Sequence, residues 1–225
     1  MSQIIQEFEE IWRIFENNVF IEPSTSDLFN QYQDNKNEYD VPNGNIIRQE
    51  NLKRYVESFK EVPKVVIIGE APGYRGCRFS GVPFTSEKQL YSDDFIIEGE
   101  RSSNLVNRTE PWSEASATIF WDKMRDFHPK FFVWNCIPFH PHKPGDFMSN
   151  RPPTDEEIKK YGKILSDILA HIKRPNTIIA LGKKAQSSLG NLGFISGVEY
   201  VRHPGSGGAT IFREKIDARA SSWFP

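Results

Sequence analysis

The chain has 225 residues, 38% of them hydrophobic and 26% charged, which is enough for one α/β domain with a real core and marginal for two. A formal net charge of −2 argues against a protein that coats nucleic acid by bulk positive charge and leaves such binding to a local basic cluster. Only two cysteines are present, too few for a disulfide framework or a four-cysteine metal site, and no apolar run approaches the roughly 20 residues of a membrane helix.

The opening MSQIIQEFEEIWRIF is amphipathic and acidic, which predicts a surface helix rather than a signal peptide, and the low cysteine count makes a reducing cytoplasm the default compartment. Residues 23–45 are polar and rich in Asn, Asp and Gln, and predict an irregular loop before a helix near Ile47–Phe59. KVVIIG (64–69) is the first of four short segments that read as buried strands. The others are KFFVWNCI (130–137), NTIIALG (176–182) and VEYVRHP (198–204). Each is apolar, β-branched and bounded by Gly or Pro. Residues 92–112 show weak periodicity and predict an insertion or flap.

Helical patterns lie between the strands. SEASATIFWDKMRDF starts at Ser113. The next begins at Thr154, which has capping-box spacing to Glu157, and its Ile158, Tyr161, Leu165, Ile168 and Ile172 share one face. KKAQSSLGNL follows the third strand and GGATIFREKIDARA the fourth. Strands alternating with helices require crossover connections. The expected fold is therefore a three-layer α/β/α sandwich with a central four-stranded parallel sheet, in a single domain over 1–225.

In such a sheet, ligands bind at the carboxyl ends of the strands. Unusual residues collect at those ends. After the first strand comes Glu70-Ala71-Pro72-Gly73. The second carries Asn135, followed by Pro138-Phe139-His140-Pro141-His142. The third leads to Gly182-Lys183-Lys184, and the fourth to His203-Pro204-Gly205-Ser206-Gly207-Gly208. GEAPGYRG is not a phosphate loop: it lacks the Gly-Lys-Ser/Thr ending, and its glycines miss the dinucleotide spacing. Alone it reads equally as a tight strand-to-helix turn. His140 and His142 lack the further ligands of a closed metal site, so no metal is expected and hydrogen bonds that order the loop are the better reading. His203 runs directly into glycines that let a ligand approach the backbone, and its intrinsic pKa is near neutral. Asn135, taken alone, reads as a satisfied core amide.

In this order, from about Lys64 to Ala209, these features resemble the uracil-DNA glycosylase superfamily. Gly69-Glu70-Ala71-Pro72-Gly73 is similar to its first motif, and Gly81-Val82-Pro83-Phe84 to the segment carrying its base-stacking aromatic. Asn135 stands where its base-reading asparagine does. Leu181-Gly182-Lys183-Lys184-Ala185 resembles the turn after its third strand, and His203-Pro204 the start of its second motif. The GEAPG form is closest to a thermostable branch that carries an iron–sulfur cluster on four cysteines. With two cysteines in no suitable pair, neither a cluster nor any other cofactor is expected here.

The resemblance implies hydrolysis of the bond between uracil and deoxyribose in DNA, on a base flipped out of the stack. It implies catalytic roles for Glu70, which positions water or stabilises the cationic sugar, and for His203, which donates to the departing base. Ala71, Gly73, Tyr74, Phe84 and Asn135 would bind the base. Phe84 also reads as core packing, and Glu70 as a ligand of its own loop. Lys183, Lys184, Arg202 and Ser206 would contact the DNA backbone, with Arg75, Arg78 and Lys143 near the same edge. Two positions depart from the pattern. Ala71 replaces the water-activating Asp of the best-known members, and Gly73 replaces the tyrosine that blocks thymine in the strictest. These departures leave open another base (hypoxanthine, xanthine or a 5-modified uracil), and the lack of a wedge residue together with the acidic pI leaves open a non-catalytic DNA or nucleotide binder. No bulky wedge follows His203, which leaves Arg202 or the 92–112 flap to fill the gap in the stack. The expected partner is DNA containing uracil or a related damaged base, bound by a monomer without membrane association.

Overall fold

The structure, a computed structural model, describes residues 5–106, 108–172 and 177–225. The first four residues, Asn107, Lys173 and Asn176, which belong to predicted elements, lie outside the described residues. The strands in chain order are β1 (Leu28–Phe29), β2 (Val65–Gly69), β3 (Phe131–Asn135), β4 (His140–Pro141), β5 (Thr177–Leu181) and β6 (Val198–Val201). The helices are α1 (Gln6–Ile14), α2 (Gly44–Glu57), α3 (Cys77–Ser80), α4 (Glu87–Leu90), α5 (Ala115–Met124), α6 (Asp155–His171), α7 (Lys183–Asn191) and α8 (Ala209–Trp223).

Every residue of β2 and β3 is buried, the pattern of strands covered on both faces. The sheet has the order β3-β2-β5-β6, and all its pairs are parallel. This is the expected four-stranded sheet, flanked by helices, and each strand lies within its predicted segment. In register, Gly69 pairs with Asn135, so the ends of β2 and β3 open at the same edge. One apolar cluster runs from Phe8 of α1 through the sheet to Phe224 beyond α8. α6 starts where its capping box predicts: the Glu157 N–H donates to Thr154 Oγ1 at 3.2 Å and the Thr154 N–H to Glu157 Oε2 at 2.8 Å. Its five apolar face residues are all buried. Among the described residues, no helix is long and apolar enough to cross a membrane.

Three segments differ from the sequence expectation. The polar stretch 23–45 contains β1, which pairs antiparallel with β4 and ties the amino-terminal region to the loop after Asn135. α2 begins at Gly44 rather than near Ile47, because Asn35 Oδ1 takes the Asn45 N–H at 2.7 Å and satisfies a first-turn donor from a distance. The 92–112 segment, expected as an insertion or flap, is tied down at Ser102 and Ser103. The buried carboxylate of Glu87 accepts the N–H groups of Ser102 at 2.9 Å and Ser103 at 2.8 Å and the Ser103 hydroxyl at 2.6 Å. Backbone donors gathered on one buried charge pin this coil to the body.

Candidate active site

β2 ends at Gly69, where nothing larger fits. A Cβ at this position would lie 2.6 Å from Asn135 Oδ1 and collide with the Phe84 ring. The glycine therefore lets a buried amide and an aromatic face meet above the strand end. Phe84 reaches this place from a tight turn in which its own φ is +51°, a left-handed conformation that costs a bulky residue about 1–3 kcal/mol. The turn is held from outside. The Ser80 hydroxyl donates to the Thr85 carbonyl at 2.7 Å, and the Trp121 indole N–H donates to Thr85 Oγ1 at 3.0 Å.

His203 faces the same ring, with centroids 5.7 Å apart. Its Nδ1 accepts the Gly205 N–H at 3.1 Å, so a neutral imidazole carries its proton on Nε2. Burial, with a smaller contribution from Arg202, depresses its pKa to about 4. At neutral pH the ring is uncharged and Nε2–H is a donor. Gly182, at φ +101°, lets the end of β5 approach: a Cβ there would be 3.3 Å from His203 Cβ.

These groups line a recess of about 440 Å³ at the carboxyl edge of the sheet. Of the predicted site residues, Glu70, Ala71, Gly73, Phe84, Asn135, Lys184 and His203 all border it. Burial raises the pKa of Glu70, and the Lys184 ammonium partly offsets the rise.

The remaining predicted residues lie elsewhere. Tyr74 is outside the lining; its N–H donates to Asn150 Oδ1 at 3.0 Å and its ring lies under the Arg75 guanidinium at 5.1 Å. Lys183 is the exposed first residue of α7. Arg202 donates to the carbonyl of the exposed Ser206 at 3.3 Å, so these two brace the loop after His203 rather than border the recess. Arg78 is no phosphate contact. It is fully buried and, with Arg48, clasps Asp40; its Nη2 lies 3.0 Å from Asp40 Oδ2, and Arg48 Nη1 lies 3.0 Å from Asp40 Oδ1. Arg75 and Lys143 are exposed.

Sequence reasoning missed Glu114, Asn150 and Arg151, which also line the recess. Asn150 and Arg151 stand just before the α6 capping box, and Arg151 holds Glu157 through Nη1 at 2.8 Å and Nη2 at 2.6 Å. That bidentate pair is the one signal the sequence carried: an arginine at fixed spacing before a capping glutamate. His140 and His142 order their loop, as expected: Nε2 of the former donates to the Ser149 carbonyl at 2.9 Å and Nδ1 of the latter to the Lys143 carbonyl at 3.0 Å. Among the described residues, no group of three or more His, Cys, Asp or Glu side chains could hold a metal ion.

Residues 57–212 match the family model of the uracil DNA glycosylase superfamily. The chain belongs to that superfamily. A search of curated proteins finds no match. Among solved structures, wild-type SMUG2 from Pedobacter heparinus is similar in fold. The TM-score is 0.65 at 15% sequence identity, over 96% of this chain and 97% of that one. The cluster-bearing branch that the GEAPG loop resembles needs cysteines together, and here they do not fit. Cys77 Sγ lies 3.9 Å from the Tyr32 hydroxyl and Cys136 Sγ 3.9 Å from the Ala185 carbonyl, both buried, with thiol pKa values pushed up to about 12 by burial. This superfamily member has no site for an iron–sulfur cluster among these thiols.

Proposed function

We propose that this superfamily member is a monofunctional DNA glycosylase that hydrolyses the N-glycosidic bond of uracil in DNA. The meeting of Phe84, Asn135 and His203 around the side-chain-free Gly69 carries this reading. A base extruded from the helix enters the recess and lays one face on Phe84. The Asn135 amide offers one donor and one acceptor. Uracil presents the complementary pair at O4 and N3–H, whereas cytosine presents the opposite polarity and leaves buried groups unpaired.

As the glycosidic bond breaks, the sugar becomes cationic and the base takes up the electron pair. The neutral His203 suits this moment. Its Nε2–H donates to the base oxygen on which charge develops, and a preorganised donor of this kind contributes about 3 kcal/mol. Glu70 brings negative charge to the opposite, cationic partner. Lys184 stands beside it at the first turn of α7, where a DNA phosphate also gains from the helix N–H groups.

Oligonucleotides carrying uracil, cytosine, thymine, hypoxanthine or xanthine, incubated with the protein in EDTA and then cleaved with alkali, test the reading. Uracil strands are expected to break while cytosine strands stay whole. Release of hypoxanthine or xanthine with uracil untouched would move the activity to another base, an alternative favoured by the lack of a side chain at Gly73. Salt-sensitive binding without release of any base would reduce the protein to a binder.

A further inference from the structure

Glu114, which no motif marks, is built into the recess. It immediately precedes α5, and its carboxylate fits beneath the turn that follows Glu70. A Cβ on Gly73 would lie 2.9 Å from Glu114 Oε2, and one on Gly76 would collide with the same oxygen. The two glycines make the seat for this group. Oε1 accepts the hydroxyl of Ser116, which fixes the rotamer. The Cβ of Ser116 in turn lies 3.5 Å from where a Cβ on Gly205 would stand, and Gly205 carries the N–H that sets the His203 tautomer. Ser116, which holds Glu114, is thus a neighbour of Gly205, which holds the imidazole.

The two carboxylates of the recess differ in their surroundings. Glu70 has the Lys184 ammonium beside it. Burial and the Ser116 hydroxyl are what act on Glu114, with burial raising its pKa, and no cation among the described residues contributes. The other titratable groups that border the recess are Cys77, Arg151, Lys184 and His203. Arg151 is committed to Glu157 and Cys77 is a buried thiol. A partly dehydrated carboxylate without a counter-ion is the better hydrogen-bond acceptor for water and the better proton acceptor.

We infer that Glu114 holds and deprotonates the hydrolytic water, an assignment that rests on the glycosylase reading above. The water oxygen bonds to the sugar C1′ as the C1′–N bond breaks. The bond's electron pair leaves with the base, whose oxygen accepts from His203 Nε2–H. The water proton passes to Glu114 and from there to solvent, which protonates the released base. Glu70 then serves the charge of the sugar rather than the water.

Single-turnover base release by wild type, Glu114→Gln and Glu70→Gln across pH 4.5–8 is the test, with thermal midpoint and affinity for abasic-site DNA measured alongside. Glu114→Gln keeps the shape and the Ser116 partner. It is expected to lower the rate by about 100-fold or more with fold and affinity unchanged. The wild-type rate rises with pH as the carboxyl ionises; this rise disappears in Glu114→Gln and survives in Glu70→Gln. Formate is expected to restore part of the activity of Glu114→Ala. An active wild type with Glu114→Gln within threefold of it, or a rate loss matched by an equal loss of DNA affinity, overturns the assignment alone. A wild type that releases no base overturns the glycosylase reading and the assignment with it.

Discussion

Replacing Gly69 by alanine isolates the geometry on which the recess depends. The backbone permits the change, because Gly69 is a β2 residue outside the left-handed region. Its cost is purely local. The new methyl group would stand 2.6 Å from Asn135 Oδ1, where ordinary contact begins at 3.4 Å, so the amide must retreat by about 0.8 Å and the Phe84 ring further still. Forcing one carbon into a packed site destabilises by about 1–3 kcal/mol. Displacing a binding group by about 1 Å costs on the order of 100-fold in rate. Alkali cleavage of a uracil oligonucleotide under single-turnover conditions measures the rate, and urea unfolding measures the stability. Gly69→Ala is expected to stay folded and lose about two orders of magnitude in base release. A variant within threefold of wild type would show that the amide and the ring need not meet at this point.

Asp40→Asn leaves the buried guanidiniums of Arg48 and Arg78 without their shared counter-charge; a loss of about 3–5 kcal/mol in urea-unfolding stability is expected, and a change below 1 kcal/mol would contradict it. His203 should titrate near pH 4 by NMR, and a midpoint at its ordinary value of about 6.5 would remove the neutral-donor mechanism. The same shift has a stability sign. The folded pKa is depressed, so the unfolded state binds the proton first, and this contribution to stability, present above the ordinary imidazole pKa, is lost as pH falls from about 6.5 towards 4. Lys184→Ala is expected to weaken DNA binding for all sequences alike and to reduce the salt-dependence slope by about 1; an unchanged slope would take Lys184 off the phosphate backbone.

The parts of this site legible in the sequence are those that follow a strand directly. Asn135 and His203 could be placed at one edge because alternating strands and helices force a parallel sheet, and all its strands then end together. Tyr74 illustrates the limit. Once the chain leaves β2 its residues have no fixed period, and Tyr74 is not among the residues that line the recess beside Gly73. Arg78 resembled its basic neighbours because its partner, Asp40, is 38 positions earlier and no local pattern joins them. Glu114 reads locally as the start of a helix. Its place is set by the glycines at 73 and 76 that back onto it, a long-range fit that spacing does not encode. The 92–112 coil escaped for the same reason: its anchors, the buried Glu87 and Asn51 among them, lie outside it.

The central claim is that one recess reads a pyrimidine with Asn135 and discharges it with His203. Release of free uracil from uracil-containing DNA by wild type, Asn135→Ala and His203→Ala, in EDTA and with enzyme in excess, tests it most directly. The account predicts rapid release by wild type and a fall of at least about 100-fold in each variant while both remain folded. Undiminished release by the two variants would contradict it.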